Sequence, residues 1–80
     1  MGKIEITSVR DFFELARGAY KIAERLELKS LPSVEQWPLR GIPKAYWEKI
    51  CEHYPFMTIE ICFRISETAR KEYRKHLENR

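Results

Sequence analysis

The chain has 80 residues, 44% of them hydrophobic, with 15 basic and 12 acidic side chains, a formal charge of +3 and a pI near 9.0. A chain this short makes one domain, residues 1–80, and buries roughly 60–65% of its unfolded surface, which leaves little room for a substrate pocket of about 300 Å³ or more and argues against an enzyme. No apolar run approaches membrane-spanning length, Cys51 and Cys62 are read as reduced thiols, and with neither a secretory leader nor a myristoylation pattern the expected location is cytoplasmic.

Residues 1–7 read as an arm in which Lys3 to Thr7 alternate and lay Ile4 and Ile6 along the core. The first helix starts at a capping box of Ser8 and Asp11, and Val9, Phe12, Phe13 and Ala16 recur at i, i+3, i+4 and i+7. Gly18 lets the chain reverse. Ala19, Ile22, Ala23 and Leu26 form the next apolar stripe, with Ala23 small enough for a close helix crossing. Leu28 marks a turn, Ser30 is an N-cap candidate, and Leu31, Val34 and Trp37 face inward from a short helix whose other side carries Ser30, Ser33 and Gln36. Pro32 is tolerated in the first turn of that helix, whereas Pro38 is expected to end it at Trp37.

Pro43 stands where a first helical residue would, followed by the stripe Trp47, Ile50, Cys51 and Tyr54, and Pro55 closes that helix. Residues 58–65 are ambiguous, since Ile59, Ile61, Phe63 and Ile65 alternate like a strand. The helical spacing of Cys62, Ser66, Ala69, Tyr73 and Leu77, with Thr58 as N-cap, favours one long helix over 58–78. Within residues 64–80, six basic side chains stand against three acidic ones and account for the whole net charge. Such a tail suits phosphate or another acidic partner, the alternative being a solvated helix laced with ion pairs.

Ile22, Ala23, Leu26, Val34, Trp37 and the segment Gly41-Ile42-Pro43 together resemble the small phage-type Cro and repressor proteins of the lambda-repressor-like class, especially those whose recognition helix ends in Trp before a Gly-Ile-Pro loop. The likeness continues through Trp47 and through Thr58-Ile59-Glu60 to Ala69-Arg70, and so covers residues 7–70. It implies an all-α, five-helix domain with a helix-turn-helix at 19–37 and a long C-terminal helix. The chain departs from the pattern in four ways: Ala23 and Val34 are eleven apart where ten is usual, Glu27 occupies the place of a turn glycine, two prolines flank the recognition segment, and Glu35 brings a negative charge toward the phosphates.

A small transcriptional regulator binding double-stranded DNA is the function this resemblance implies, with Lys29, Ser30, Ser33, Gln36, Arg40 and Lys44 forming the contact face. Gln36 would read adenine, a contact worth about 1–3 kcal/mol against a wrong base, Ser30 and Ser33 would make weaker bonds, and the three cations would hold the backbone. A homodimer would span half-sites about 34 Å apart. Ile61 and Ile65 lie off the main stripe of the last helix and are expected to be covered by a second copy, burial beneath the N-terminal arm being the competing reading. The rival function is an interaction module that kept the fold, lost groove reading and binds a protein partner through that helix. Trp37 and Trp47 are expected in the core. Cys51, His53 and Cys62 are the nearest approach to a metal set, but they lack a fourth ligand and a common zinc spacing, so neither metal nor cofactor is expected.

Overall fold

Among the described residues, 5–78, this computed structural model has six α-helices: α1 (Val9–Leu15), α2 (Ala19–Arg25), α3 (Leu31–Glu35), α4 (Trp37–Arg40), α5 (Trp47–His53) and α6 (Ile59–Glu78). A 3₁₀ turn (Lys44–Tyr46) leads into α5. No strand occurs among these residues, so the alternating segment 58–65 is resolved as helix, capped where Ile61 N–H donates to Thr58 Oγ1 at 3.1 Å. Of the expected arm only Ile6 and its neighbours are described, and Ile6 is buried, while Ile4 lies outside the described residues.

The first helix begins as its residues predict, with Asp11 N–H donating to Ser8 Oγ at 3.2 Å. The return half of the capping box differs. The Asp11 carboxylate reaches past Ser8 to accept from Thr7 N–H and Thr7 Oγ1, each at 2.9 Å, and these bonds hold its pKa below the ordinary aspartate value. Both ends of the α1–α2 hairpin close on Schellman bonds: Gly18 N–H to Phe13 O at 2.8 Å after α1, and Leu28 N–H to Ala23 O at 2.8 Å after α2. The left-handed residue at each stop is not glycine. Arg17 holds φ 71° and Glu27 holds φ 56°. An L-residue in that region costs roughly 1–2 kcal/mol, so the missing turn glycine at Glu27 is carried as local strain.

Pro38 does not end the helical path at Trp37. The chain breaks one residue earlier, at Gln36, and resumes as α4 with Pro38 in its first turn, where the absent N–H has no intrahelical partner to lose. Gln36 O accepts from Leu39 N–H at 3.0 Å and Arg40 N–H at 2.8 Å, so one residue closes α3 and opens α4. This split turns the five expected helices into six. Pro43 likewise stays outside α5, since its ψ of 137° is extended and it caps the 3₁₀ turn instead. Tyr54 ends α5 in the extended region that the following Pro55 enforces.

The buried stripes meet in one core. Phe12, Ile22, Leu26, Val34, Ile42, Ile50 and Ile65 are fully enclosed, and each contributes about 1.5–3 kcal/mol by leaving water. Phe12 sits edge-on to Tyr54 at 5.2 Å, and the Arg25 guanidinium lies 5.5 Å from the Tyr54 ring. Burial raises the Tyr54 hydroxyl pKa, the Arg25 charge opposing. Trp37 and Trp47 are both buried, as expected of stripe residues.

The contact between α4 and α6 is the most extensive between helices. It closes on Gly41, whose φ is 89° and where an added Cβ would lie 2.9 Å from Ser66 O. Beside it Ile42 N–H donates to Ser66 Oγ at 3.1 Å, Ser66 Oγ–H donates back to Ile42 O at 3.4 Å, and Trp47 Nε1–H donates to the same carbonyl at 2.9 Å. Ser66 is fully buried on the apolar side of α6. Its hydroxyl satisfies backbone groups that no helix could pair.

Two substitutions test these points. Ser66→Ala leaves the Ile42 N–H buried without a partner and is expected to lower unfolding free energy by about 1–3 kcal/mol in urea titrations. Glu27→Gly removes the left-handed strain at some cost in unfolded-chain entropy, and the same titration should show a gain of about 0.5–1 kcal/mol.

Candidate nucleic-acid interface

The α2–α3 pair is anchored from within by Ile22, Ala23, Leu26 and Val34, all buried, and α2 and α3 pack directly on one another. α3 is only five residues long, too short to persist alone, so its direction is set by Val34 and, one residue past its end, by Trp37. Trp37 is in turn held between Phe13, 6.5 Å away, and Tyr46, 5.5 Å away. Tyr46 is half-buried in this stack, whereas Tyr20 stands 65% exposed.

All six residues of the expected face are exposed. Lys29 lies in the turn before α3 and Ser33 on α3 itself, while Gln36 stands at the break between α3 and α4. Ser30 is committed locally: its Oγ accepts from Ser33 N–H at 3.4 Å and is 2.9 Å from Ser33 Oγ. The Ser30 hydroxyl therefore caps the helix and pairs with the Ser33 hydroxyl, and the two offer an outside partner only their remaining capacity. Lys44 opens the 3₁₀ turn beyond the Gly-Ile-Pro loop.

Arg40 has a second set of neighbours that sequence spacing did not reveal. It ends α4, and its guanidinium lies 5.9 Å from the Tyr73 ring. Together Arg40, Arg70, Tyr73, Arg74 and Leu77 line an open cleft of about 480 Å³ between α4 and the C-terminal half of α6. The signal available in the sequence was the basic excess of residues 64–80, but nothing in the spacing joined it to a residue some 30 positions earlier.

The expected dimer residues separate. Ile65 is completely enclosed within its own chain, so a second copy has nothing of it to cover. Cys62, Ile65, Ser66 and Ala69 form the inward stripe of α6, and Ile65 belongs to that stripe rather than lying off it. Ile61 is half-buried against the core. The large apolar groups that α6 leaves in solvent are Ile59 at 47%, Phe63 at 55% and Leu77 at 44% exposure. Phe63 rests one edge against Trp47 at 6.2 Å.

Surface grooves exceed the volume expected of so small a domain. One of about 450 Å³ runs between α1, α2 and the end of α5, lined by Arg17, Lys21, Glu24, Arg25, His53 and Tyr54 among others, and no serine, threonine or cysteine stands on its wall. Cys51, His53 and Cys62 are not gathered into a metal set, and no group of three such ligands occurs among the described residues. His53 is exposed, with its carbonyl accepting from Arg25 Nη1 at 3.4 Å. Cys62 is buried, and desolvation, reinforced by the neighbouring Cys51 thiol, pushes its pKa up to about 12. No helix among the described residues is long and apolar enough to cross a membrane.

Compared with known proteins, the chain matches no protein-family model, no curated protein and no solved structure at a significant level. A functional reading therefore stands on the residues themselves.

Thiol accessibility gives a direct check on this region. Buried, and with its pKa pushed up by desolvation, Cys62 stays protonated and shielded near pH 8. A disulfide reagent should titrate one thiol, Cys51, in the native protein and both after unfolding, and Cys51→Ser should leave the native chain unreactive.

Proposed function

We propose that this protein is a small DNA-binding transcriptional regulator of helix-turn-helix type, reading the major groove with the α3–α4 segment. The observation that carries the reading is the division of residues 29–44 into two sets. Val34, Trp37 and Ile42 are buried and fix the segment to the core, while Lys29, Ser33, Gln36, Arg40 and Lys44 all remain in solvent. A helix pinned on one side and polar on the other is the form that presents side chains to base edges. Resumption of the helical path as α4 supports it further, because it carries Arg40 into solvent beyond Pro38, beside the exposed Leu39. In this reading Gln36 is the base reader, Ser33 assists, Ser30 caps, and Lys29, Arg40 and Lys44 bind phosphates.

So short a reading segment engages one half-site, and a second copy supplies the other about 34 Å away. The apolar groups that a second copy would cover are Ile59 and Phe63, four residues apart on α6, with Ile61 at most at the margin. The same two exposed side chains favour the rival reading, an interaction module whose protein partner seats on α6. Salt separates the two, since phosphate contacts weaken steeply with ionic strength and an apolar interface changes little.

An NMR titration with mixed-sequence duplex DNA at low and moderate salt is expected to move the amides of residues 29–44 and to lose that effect as salt rises. In a binding assay on a selected site, Gln36→Ala should relax base preference by about 1–3 kcal/mol at one position, while Arg40→Ala should weaken all sequences alike and lower the salt slope by about 1. Unchanged binding in both variants would remove the proposed face.

A further inference from the structure

The cleft between α4 and the C-terminal half of α6 gathers three guanidinium groups. Arg70 and Arg74 are four residues apart on α6 and so share one side of the helix, and Arg40 approaches from the end of α4. Like charges at this spacing disfavour the helix, and Arg40 brings a third cation to the same cleft. The arrangement is nonetheless built into the fold. The Arg40 guanidinium rests against the Tyr73 ring, and the Arg70 side chain lies across Gly41, its Cγ and Nε each 3.4 Å from where a Cβ would stand. The nearest counter-charge is Glu67, 3.6 Å from Arg70 Nη1, in a pair whose side chains are 45% and 42% exposed. An exposed pair of this kind is screened by solvent and gives way readily to a stronger anion. No ion pair holds Arg40 or Arg74 among the described residues.

We infer that this Arg40–Arg70–Arg74 cleft seats backbone phosphates of a nucleic acid, as a second contact beside the α3–α4 face. Guanidinium forks match phosphate oxygens in pairs, which three converging lysines would not. A polyanion fits better than a free phosphate ion because all three arginines are exposed and the cleft is wide. One small anion there stays hydrated and gains little, whereas a nucleic-acid strand releases condensed counterions as each phosphate is neutralised. Arg40 belongs both to the reading segment and to the cleft, so a strand leaving the groove at Arg40 continues toward Arg70 and Arg74. The inference rests on the proposed reading of the α3–α4 segment for its choice of duplex DNA, but the phosphate seat is separable from groove reading.

The experiment is the salt dependence of binding, by fluorescence anisotropy, to a labelled mixed-sequence duplex and to a single strand of the same length. Wild type is compared with Arg74→Gln and with Arg70→Gln/Arg74→Gln, each first shown to be folded by circular dichroism. Arg70, not Arg74, supplies the side-chain atoms nearest Gly41, so the single variant keeps the test valid if the double one unfolds. Each lost phosphate contact lowers the log–log slope by about 0.9 on duplex and about 0.7 on a single strand. On duplex the double variant is therefore expected to lose roughly tenfold less affinity than wild type between about 50 and 200 mM salt. Unchanged slopes in both variants overturn the phosphate seat. So does poly-glutamate competing as well as nucleic acid at equal charge, since the cleft is then a seat for acidic protein. Gln36→Ala leaves the slope unaltered: an arginine-dependent slope without base preference keeps the cleft and removes groove reading, and base preference with arginine-independent slopes does the reverse. If wild type binds neither nucleic acid at low salt, both fall.

Discussion

The backbone of Ile42 is gripped from two sides, and the rest of the domain depends on that grip. Ser66 from α6 exchanges hydrogen bonds with its amide and its carbonyl, Trp47 from α5 donates to the same carbonyl, and Gly41 removes the side chain that would keep the strands of backbone apart. Ser66 and Ile42 are fully buried, where leaving any member of such a polar set unpaired is costly. They tie Ile42, just past the end of α4, and Trp47 at the start of α5, five residues on, to the middle of α6, 24 residues beyond Ile42, in one corner. The exposed α3–α4 segment takes its position from that corner, because neither of its two short helices could hold a direction alone.

Charged side chains are spread along the whole chain, but the net positive excess falls within residues 64–80. Beyond Ala69, α6 has only Tyr73 partly buried through residue 78, so its C-terminal half is carried by the helix itself. Arg40 joins that half to the α3–α4 segment through Tyr73. The basic excess and the polar face of α3–α4 are therefore neighbouring parts of one surface, with Arg40 common to both.

Much of the fold was legible as periodicity. Val9, Phe12 and Ala16, Ile22, Ala23 and Leu26, and Trp47, Ile50 and Tyr54 are buried as their spacing requires, whereas the fourth member of each stripe, Phe13, Ala19 and Cys51, is only partly buried; Ser8, Ser30 and Thr58 cap the helices that follow them. Local signals carry such features because the partners lie within one or two turns. What periodicity could not show were the partnerships across the chain. Nothing near Ser66 announces that its hydroxyl serves Ile42, 24 residues away, and Ile65 reads as surplus until α4 and the loop after it are seen to cover that side of α6. Pro38 differs from expectation for a related reason: a proline ends a helix only if its missing N–H is needed, and the break at Gln36 makes it a first-turn residue. The candidate site was legible as exposed polar positions. The partners of Arg40 were not, since cation–aromatic contact between α4 and α6 is a product of tertiary packing alone.

Gln36 occupies an unusual station in this design. Its N–H donates to Ser33 O, its carbonyl accepts from Leu39 and Arg40, and the buried Val34 and Trp37 stand close on either side in sequence. The main chain beneath that amide side chain is thus already immobilised, and only its own rotamers are left to settle when something docks against it. A flexible loop carrying the same glutamine would surrender backbone freedom on contact, about 1–2 kcal/mol for each residue fixed. Here that entropy is spent during folding, so a ligand meeting Gln36 has only side-chain rotamers left to order.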